Sequence, residues 1–264
     1  MTTYLIPALI LGGCGVLAGV LLTVASKVFY VKVDERIEKI NETLPQANCG
    51  ACGFAGCADY ASAIIQKGAP TNLCRPGGAE AAGKIAAILG TAAAEVVQMT
   101  AVVHCSGDCE ATGKAFHFDG LQSCKAVKRF YSGNGMCKYG CMGLGDCVSV
   151  CEHNAIRIVS GVAKVIPSLC GACGQCAAVC PNELIVIKPV AKRIDVMCSS
   201  GDNGKATKLV CKNGCIGCKI CEKKCPNEAI IVNNFHASIN YSLCTNCGIC
   251  MDACPSKVIH KCGE

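Results

Sequence analysis

The chain opens on an unbroken apolar stretch. No charged side chain occurs from Met1 to Ser26, and Tyr4–Ser26 is long enough to cross a bilayer as a helix. This pattern predicts a transmembrane anchor over residues 1–30. A secretory signal would begin with basic residues, which Met1-Thr2-Thr3 does not supply. The first cations after the span are Lys27, Lys32 and Arg36, so the positive-inside rule predicts a single-pass protein of the cell (inner) membrane with its C-terminal domains in the cytoplasm. Gly15 and Gly19 form a small-residue pair that could seat another membrane helix. The period then changes. Val33, Ile37, Ile40 and Leu44 fall on one face of a charged helix that ends at Pro45, which predicts a stalk over residues 31–46. Further on, the short apolar runs Ala155-Ile156-Arg157-Ile158-Val159, Leu184-Ile185-Val186-Ile187 and Ala229-Ile230-Ile231-Val232 read as strands.

Composition adds the chemistry. Among 264 residues there are 27 cysteines, with 17% charged and 5% aromatic residues and no Trp. A chain this long can bury a core without staples, and an odd cysteine count cannot pair completely, so a disulfide framework accounts poorly for the cysteines. Reducing surroundings suit free thiols and metal clusters instead.

The cysteines are grouped. Cys49, Cys52, Cys57 and Cys74 lie in and after a Gly-rich run, and three close thiols plus one match a single [4Fe-4S] cluster better than the two spaced pairs of structural zinc. They define a small, mostly helical domain over residues 47–100. Three later stretches carry C-x2-C-x2-C-x3-C-P in full: Cys170, Cys173, Cys176 and Cys180; Cys215, Cys218, Cys221 and Cys225; Cys244, Cys247, Cys250 and Cys254. A variant stretch holds Cys137, Cys141, Cys147 and Cys151.

Sliding the chain by 74 positions superposes Cys124 on Cys198, Cys137 on Cys211, and Cys141, Cys147, Cys151, Cys170, Cys173, Cys176 and Cys180 on their later counterparts, without a gap. This predicts two tandem two-cluster modules, residues 124–190 and 191–264, joined to the first domain by a connecting segment over residues 101–123. The fold class is therefore α+β, with an N-terminal transmembrane helix, a four-iron domain and two ferredoxin modules of bacterial type. In two-cluster ferredoxins the fourth Cys of each motif ligates the other cluster. The expected sets are Cys137, Cys141, Cys147 with Cys180; Cys170, Cys173, Cys176 with Cys151; Cys215, Cys218, Cys221 with Cys254; and Cys244, Cys247, Cys250 with Cys225. Cys137 enters because Leu144 stands where Cys218 has its counterpart. Five clusters leave Cys14, Cys105, Cys109, Cys124, Cys198, Cys211 and Cys262. Cys105, Cys109, Cys124, Cys198 and Cys211 are candidate ligands of a sixth cluster, with free or structural thiols as the alternative.

The formal charge of +6 would invite nucleic acid as a partner. An oxidised cluster with four thiolates carries about −2, so five of them bring the loaded chain to roughly −4, and no nucleic-acid partner is expected. No complete nucleotide-binding loop and no haem attachment motif occurs, so the donor and acceptor of electrons must lie on partners. No catalytic residue is assigned.

The order of parts, an N-terminal membrane helix, a stalk, the Cys49-Cys52-Cys57-Cys74 domain and ferredoxin modules, resembles the B subunit of the Rnf ion-translocating ferredoxin:NAD oxidoreductase over essentially the whole chain. The isolated first domain is also similar to the four-iron domain of corrinoid iron–sulfur proteins. The Rnf resemblance implies an enzyme subunit that takes electrons from soluble reduced ferredoxin and relays them to partner subunits carrying flavin and NAD sites, coupled to Na⁺ or H⁺ export. The doubled module, Leu144 and the extra cysteines go beyond the short version of that family. The alternatives are a polyferredoxin subunit of another membrane oxidoreductase, such as a hydrogenase, and a non-redox metal-storage protein. Lys223-Lys224, or Lys205 and Lys208, are the expected landing points for an acidic ferredoxin.

Overall fold

The computed structural model describes residues 2–28 and 34–262, and within the first helix the side chains of residues 12–27. Helix α1 runs Thr2–Val28. Val16, Leu17, Leu22 and Val24 stand exposed on it, and the Thr23 hydroxyl donates back to the Gly19 carbonyl. Among the described residues no helix is long and apolar enough to cross a membrane.

Helix α2, Glu35–Thr43, starts at Asp34, whose carboxylate accepts from the Arg36 backbone N–H at 2.9 Å and pairs with the Arg36 guanidinium at 2.6 Å. Those hydrogen bonds hold the Asp34 carboxyl at about 2. This helix is not a free stalk. Its apolar face, Ile37, Ile40 and Leu44, is buried against Tyr60, Ile64 and Ile85 of the next two helices, α3 (Cys57–Lys67) and α4 (Gly78–Leu89). Val33, the first residue expected on that face, lies outside the described residues. A stripe of apolar residues loses its stabilisation unless something covers it, and here the four-iron domain does so. Helices α3 and α4 stop at Gly68 and Gly90, both left-handed, the conformation that closes a helix end at least cost in glycine. The buried Tyr60 hydroxyl donates to the Pro70 carbonyl at 2.7 Å and accepts from the Leu73 N–H at 3.2 Å, which folds the loop that returns Cys74 to Cys49, Cys52 and Cys57.

The rest of the chain is one fold repeated. The first copy contains β1 (Met99–Val103), α5 (Cys124–Tyr131), α6 (Asp146–Ser149), β2 (Ile156–Val159), β3 (Val162–Val165), α7 (Gln175–Val179) and β4 (Ile185–Pro189). The second contains β5 (Ile194–Val196), α8 (Gly204–Val210), α9 (Ile220–Lys224), β6 (Ile230–Asn233), β7 (His236–Ile239), α10 (Ile249–Asp252) and β8 (Ile259–Lys261). In each copy one antiparallel pair is a hairpin, β2 with β3 and β6 with β7, and the other joins the ends of the module, β1 with β4 and β5 with β8. The three apolar runs read from the sequence fall on β2, β4 and β6, with β4 running on to Pro189 and β6 to Asn233.

The end pairs correct the expected start of the first module. Strand β1 pairs with β4 from Met99 opposite Pro189 to Val103 opposite Ile185, so the segment expected to be a connector over 101–123 supplies a strand of that module. The pairing also corrects the repeat. His104 N–H bonds the Leu184 carbonyl at 2.7 Å and Met197 N–H bonds the Val258 carbonyl at 2.8 Å. Leu184 and Val258 are 74 apart, so His104 matches Met197 and Cys105 matches Cys198, an offset of 93. The 74-residue offset resumes at Cys137 and Cys211. Between them the first copy carries residues 106–136 and the second only 199–210, and Cys124 sits inside that insertion.

The copies are clamped to each other by a buried polar cluster. Asp195 and Lys188, 0% and 3% exposed, form an ion pair, and the Tyr241 hydroxyl donates to the other Asp195 oxygen at 2.7 Å. His104 Nε2 lies 3.2 Å from that hydroxyl. Burial foremost lowers the His104 pKa, against the pull of Asp195, while burial and Asp195 raise that of Tyr241.

Candidate metal centres

Sixteen of the thiols from Cys105 onward stand in fours around four cavities. The first is lined by Cys124, Cys141, Cys147 and Cys180, with about 400 Å³ of open space. Its counterpart in the second copy is lined by Cys215, Cys218, Cys221 and Cys254, with about 340 Å³. A third, about 340 Å³, is lined by Cys225, Cys244, Cys247 and Cys250. A fourth, about 370 Å³, lies between the copies and is lined by Cys105, Cys137, Cys198 and Cys211.

Two further groups are visible in how their thiols act on one another. Burial raises the pKa of Cys74, and the neighbouring Cys57, Cys52 and Cys49 raise it further. Burial pushes Cys176 up to about 11, with Cys170, Cys173 and Cys151 adding to it. Adjacent groups also lie near one another. After burial, Cys49 is a cause of the raised pKa of Cys173, Cys176 of that of Cys147, Cys141 of that of Cys105, and Cys198 of that of Cys215. Cys221 and Cys250 share one apolar core.

Among the described residues no three or more His, Cys, Asp or Glu side chains are arranged to hold a single metal ion. Four thiols spread around a cavity are the donor set of a [4Fe-4S] cluster, and the backbone fits that role. N–H groups of Ala101 and Ala172 point at Cys170 Sγ at 3.4 Å, and Ala155, Ala229 and Asn246 donate to Cys151, Cys225 and Cys244 at 3.4, 3.3 and 3.5 Å. Ala172 and Asn246 are left-handed, with φ of 52° and 61°, a conformation that aims their N–H groups at the sulfurs and recurs at the same place in both copies.

The structure regroups two expected ligands. Cys137, assigned from the sequence to Cys141, Cys147 and Cys180, lines the cavity between the copies instead, and Cys124 takes the place left by Leu144. The reason is the insertion. Helix α5 is capped by Ser123, whose Oγ accepts from the Ala126 N–H at 3.3 Å. Asp146 pins its start, accepting from the Cys124 N–H at 2.9 Å, the Lys125 N–H at 3.0 Å and the Ser123 hydroxyl at 2.9 Å. Buried Val127 and Met142 pack with Cys124, and Leu144 fills the space beside them. Sequence reasoning passed over Asp146; the one signal was that Ile220 replaces it in the copy without an insertion. Cys109, also expected at the sixth site, is exposed, with its backbone N–H on the Ser160 carbonyl at 2.9 Å. Cys14 is exposed on α1, and Cys262 lies against Met197, Sγ to Sδ 3.7 Å.

Comparison with known proteins agrees with this geometry. A family model for an Fe-S cluster domain matches residues 44–76, one for a 4Fe-4S binding domain matches residues 163–186 and one for a 4Fe-4S dicluster domain matches residues 214–259. Over 92% of its length the chain is 38% identical to the B subunit of the Na(+)-translocating ferredoxin:NAD(+) oxidoreductase complex of Acetobacterium woodii, covering 74% of that protein. It is 41% identical to the B subunit of the ion-translocating oxidoreductase complex of Methanosarcina acetivorans over 93% of this chain and 94% of that one. To the B subunit of the proton-translocating ferredoxin:NAD(+) oxidoreductase complex of Clostridium ljungdahlii it is 35% identical, over 93% and 87% of the two chains. With thiol-lined sites in sequence order and similarity running nearly end to end, the chain belongs to the B-subunit family of ion-translocating ferredoxin:NAD oxidoreductase complexes, the Rnf family.

Proposed function

We propose that the chain is the iron–sulfur relay of an Rnf-type complex, taking electrons from reduced ferredoxin and passing them towards partner subunits that carry flavin and NAD sites, while the complex exports Na⁺ or H⁺. The succession of its thiol groups supports this reading above all: Cys49 lies near Cys173, Cys176 near Cys147, Cys141 near Cys105 and Cys198 near Cys215, and Cys221 and Cys250 share one apolar core. Five sites are assigned to Cys49, Cys52, Cys57 and Cys74; Cys151, Cys170, Cys173 and Cys176; Cys124, Cys141, Cys147 and Cys180; Cys215, Cys218, Cys221 and Cys254; and Cys225, Cys244, Cys247 and Cys250. A bound [4Fe-4S] cluster supplies a one-electron carrier whose potential responds to hydrogen bonds and solvent exposure. The protein's part is to hold the thiolates, aim backbone N–H groups at them and keep water out with buried residues such as Ile156, Leu184, Ile230 and Val258.

Helix α1 is proposed as the membrane anchor. The support is the sequence, uncharged from Met1 to Ser26 and there long enough for a bilayer, a stretch that reaches beyond the side chains described for α1. The domains that follow are then cytoplasmic. Ferredoxin is proposed to approach the second copy, where Cys218 and Cys247 are exposed and Lys223 and Lys224 stand exposed on α9. The test is reduction of the membrane-purified complex by ferredoxin, read by low-temperature paramagnetic resonance and by NADH formation. Signals that dithionite produces and reduced ferredoxin does not would reject ferredoxin as the donor.

A further inference from the structure

The fourth cavity is absorbed by none of the five sites above. It is built from both copies, and its four thiols form two matched pairs: Cys105 with Cys198 by strand pairing, and Cys137 with Cys211 by the 74-residue offset. The contacts around it are reciprocal. Ser106 Oγ donates to the Met197 carbonyl at 3.1 Å, and its counterpart Ser199 Oγ donates to the His104 carbonyl, the counterpart of Met197, also at 3.1 Å. Such an exchange is the mark of a two-fold relation between like surfaces. Each copy also presents the same donor to its own sulfur. The Cys141 N–H points at Cys105 Sγ at 3.4 Å, and the matching Cys215 N–H points at Cys198 Sγ at 3.3 Å. Ser200 N–H adds a second donor to Cys198 at 3.4 Å.

We infer that this cavity is a sixth [4Fe-4S] site, ligated by Cys105, Cys137, Cys198 and Cys211, two thiolates from each copy, and that it bridges the two modules. The inference deepens the relay reading and rests on it. The open space it offers, about 370 Å³, falls between those of the other thiol-lined cavities, and the donor set is again four sulfurs, with backbone N–H groups aimed at Cys105 and Cys198. The four thiols give up their protons on ligation. The cavity also lies between the thiol groups of the two copies, because Cys105 is bonded by the Cys141 backbone on one side and Cys198 by the Cys215 backbone on the other.

The full chain, purified anaerobically and brought to its highest loading with iron and sulfide, decides the matter by native mass spectrometry and by iron and sulfide analysis. About 24 iron atoms and as many sulfides per chain are expected, against about 20 for five sites. Cys137→Ser and Cys211→Ser should each remove one cluster, and the double variant should still remove only one. Cys124→Ser with Cys137→Ser should remove two, because the structure places these thiols in different sites. Cys109→Ser and Cys262→Ser should remove none. A fully loaded wild type that stops at about 20 iron atoms overturns the sixth site and leaves the five-cluster relay standing. Loss of a single cluster from the Cys124 and Cys137 pair overturns the ligand assignment, and zinc in place of iron and sulfide overturns the cluster's identity. A chain that binds no reducible cluster at all sinks the relay reading itself. Should the serine variants fail to fold, the wild-type count still separates six sites from five.

Discussion

The two copies keep the same site in different ways. In the second copy Cys218 comes from the loop before α9 and is exposed. In the first, its position is Leu144, and the sulfur arrives from Cys124 on α5, an inserted helix with 8% of that residue exposed. The fold has kept a place for four sulfurs while changing which part of the backbone delivers one of them. The change has a cost in local order: α5 must be capped by Ser123 and tied down by Asp146, whereas the second copy needs no such tie and has Ile220 there. It also changes access. Cys124 is buried where Cys218 is exposed, and the exposed Cys218 is followed on α9 by exposed Lys223 and Lys224, which suits exchange with a soluble partner.

Moving the ligand is the most drastic way to break this contrast. Cys124→Ser should cost the first cavity its cluster, about four iron atoms per chain, and adding Leu144→Cys should restore it by rebuilding the second copy's arrangement in the first; iron and sulfide analysis reads both. If Leu144→Cys fails to rescue, the two cavities are not interchangeable. Next in size is the clamp between copies. Asp195→Ala leaves Lys188 buried without its partner, at a cost of about 3–5 kcal/mol, visible as a lower midpoint in denaturant melts. Asp146→Ala should be smaller, roughly 1–3 kcal/mol for a buried donor left unpaired, and should loosen only the first copy's cluster towards chelators. Lys223→Glu with Lys224→Glu should slow ferredoxin-dependent reduction at low salt, with little effect at high salt.

The smallest effect concerns the cluster-free chain. Burial, and then neighbouring thiols, push Cys147 up to about 12 and its counterpart Cys221 up to about 11. A thiol whose folded pKa is raised stabilises the fold below its ordinary value of 9.0. That stability is lost as pH rises through the folded values. Melts of the apo-protein between about pH 9 and pH 11 should therefore show falling stability, with Cys147→Ser and Cys221→Ser each flattening the slope.

The sequence made some of this legible and hid the rest for identifiable reasons. Motif spacing located the thiols, and three apolar runs located β2, β4 and β6, because both signals are local. The regrouping of Cys124 and Cys137 was hidden by a coincidence: a gap-free slide lays Cys124 over Cys198, while strand pairing lays Cys105 there. The insertion leaves no trace in the motif spacing because it lies upstream of every motif in its copy. The face of α2 was plain in the periodicity, but periodicity names no partner, and the partner was Tyr60, Ile64 and Ile85.

The Asp195–Lys188 pair, roofed by Tyr241, has a mechanical consequence. Parting the copies would strand a carboxylate and an ammonium away from water, so the joined arrangement is the one the chain favours. The spacing between the thiol groups of the two copies is thereby set by the same contacts that fold them. In the relay proposed above, the two modules then act as one span, with exchange left to its ends.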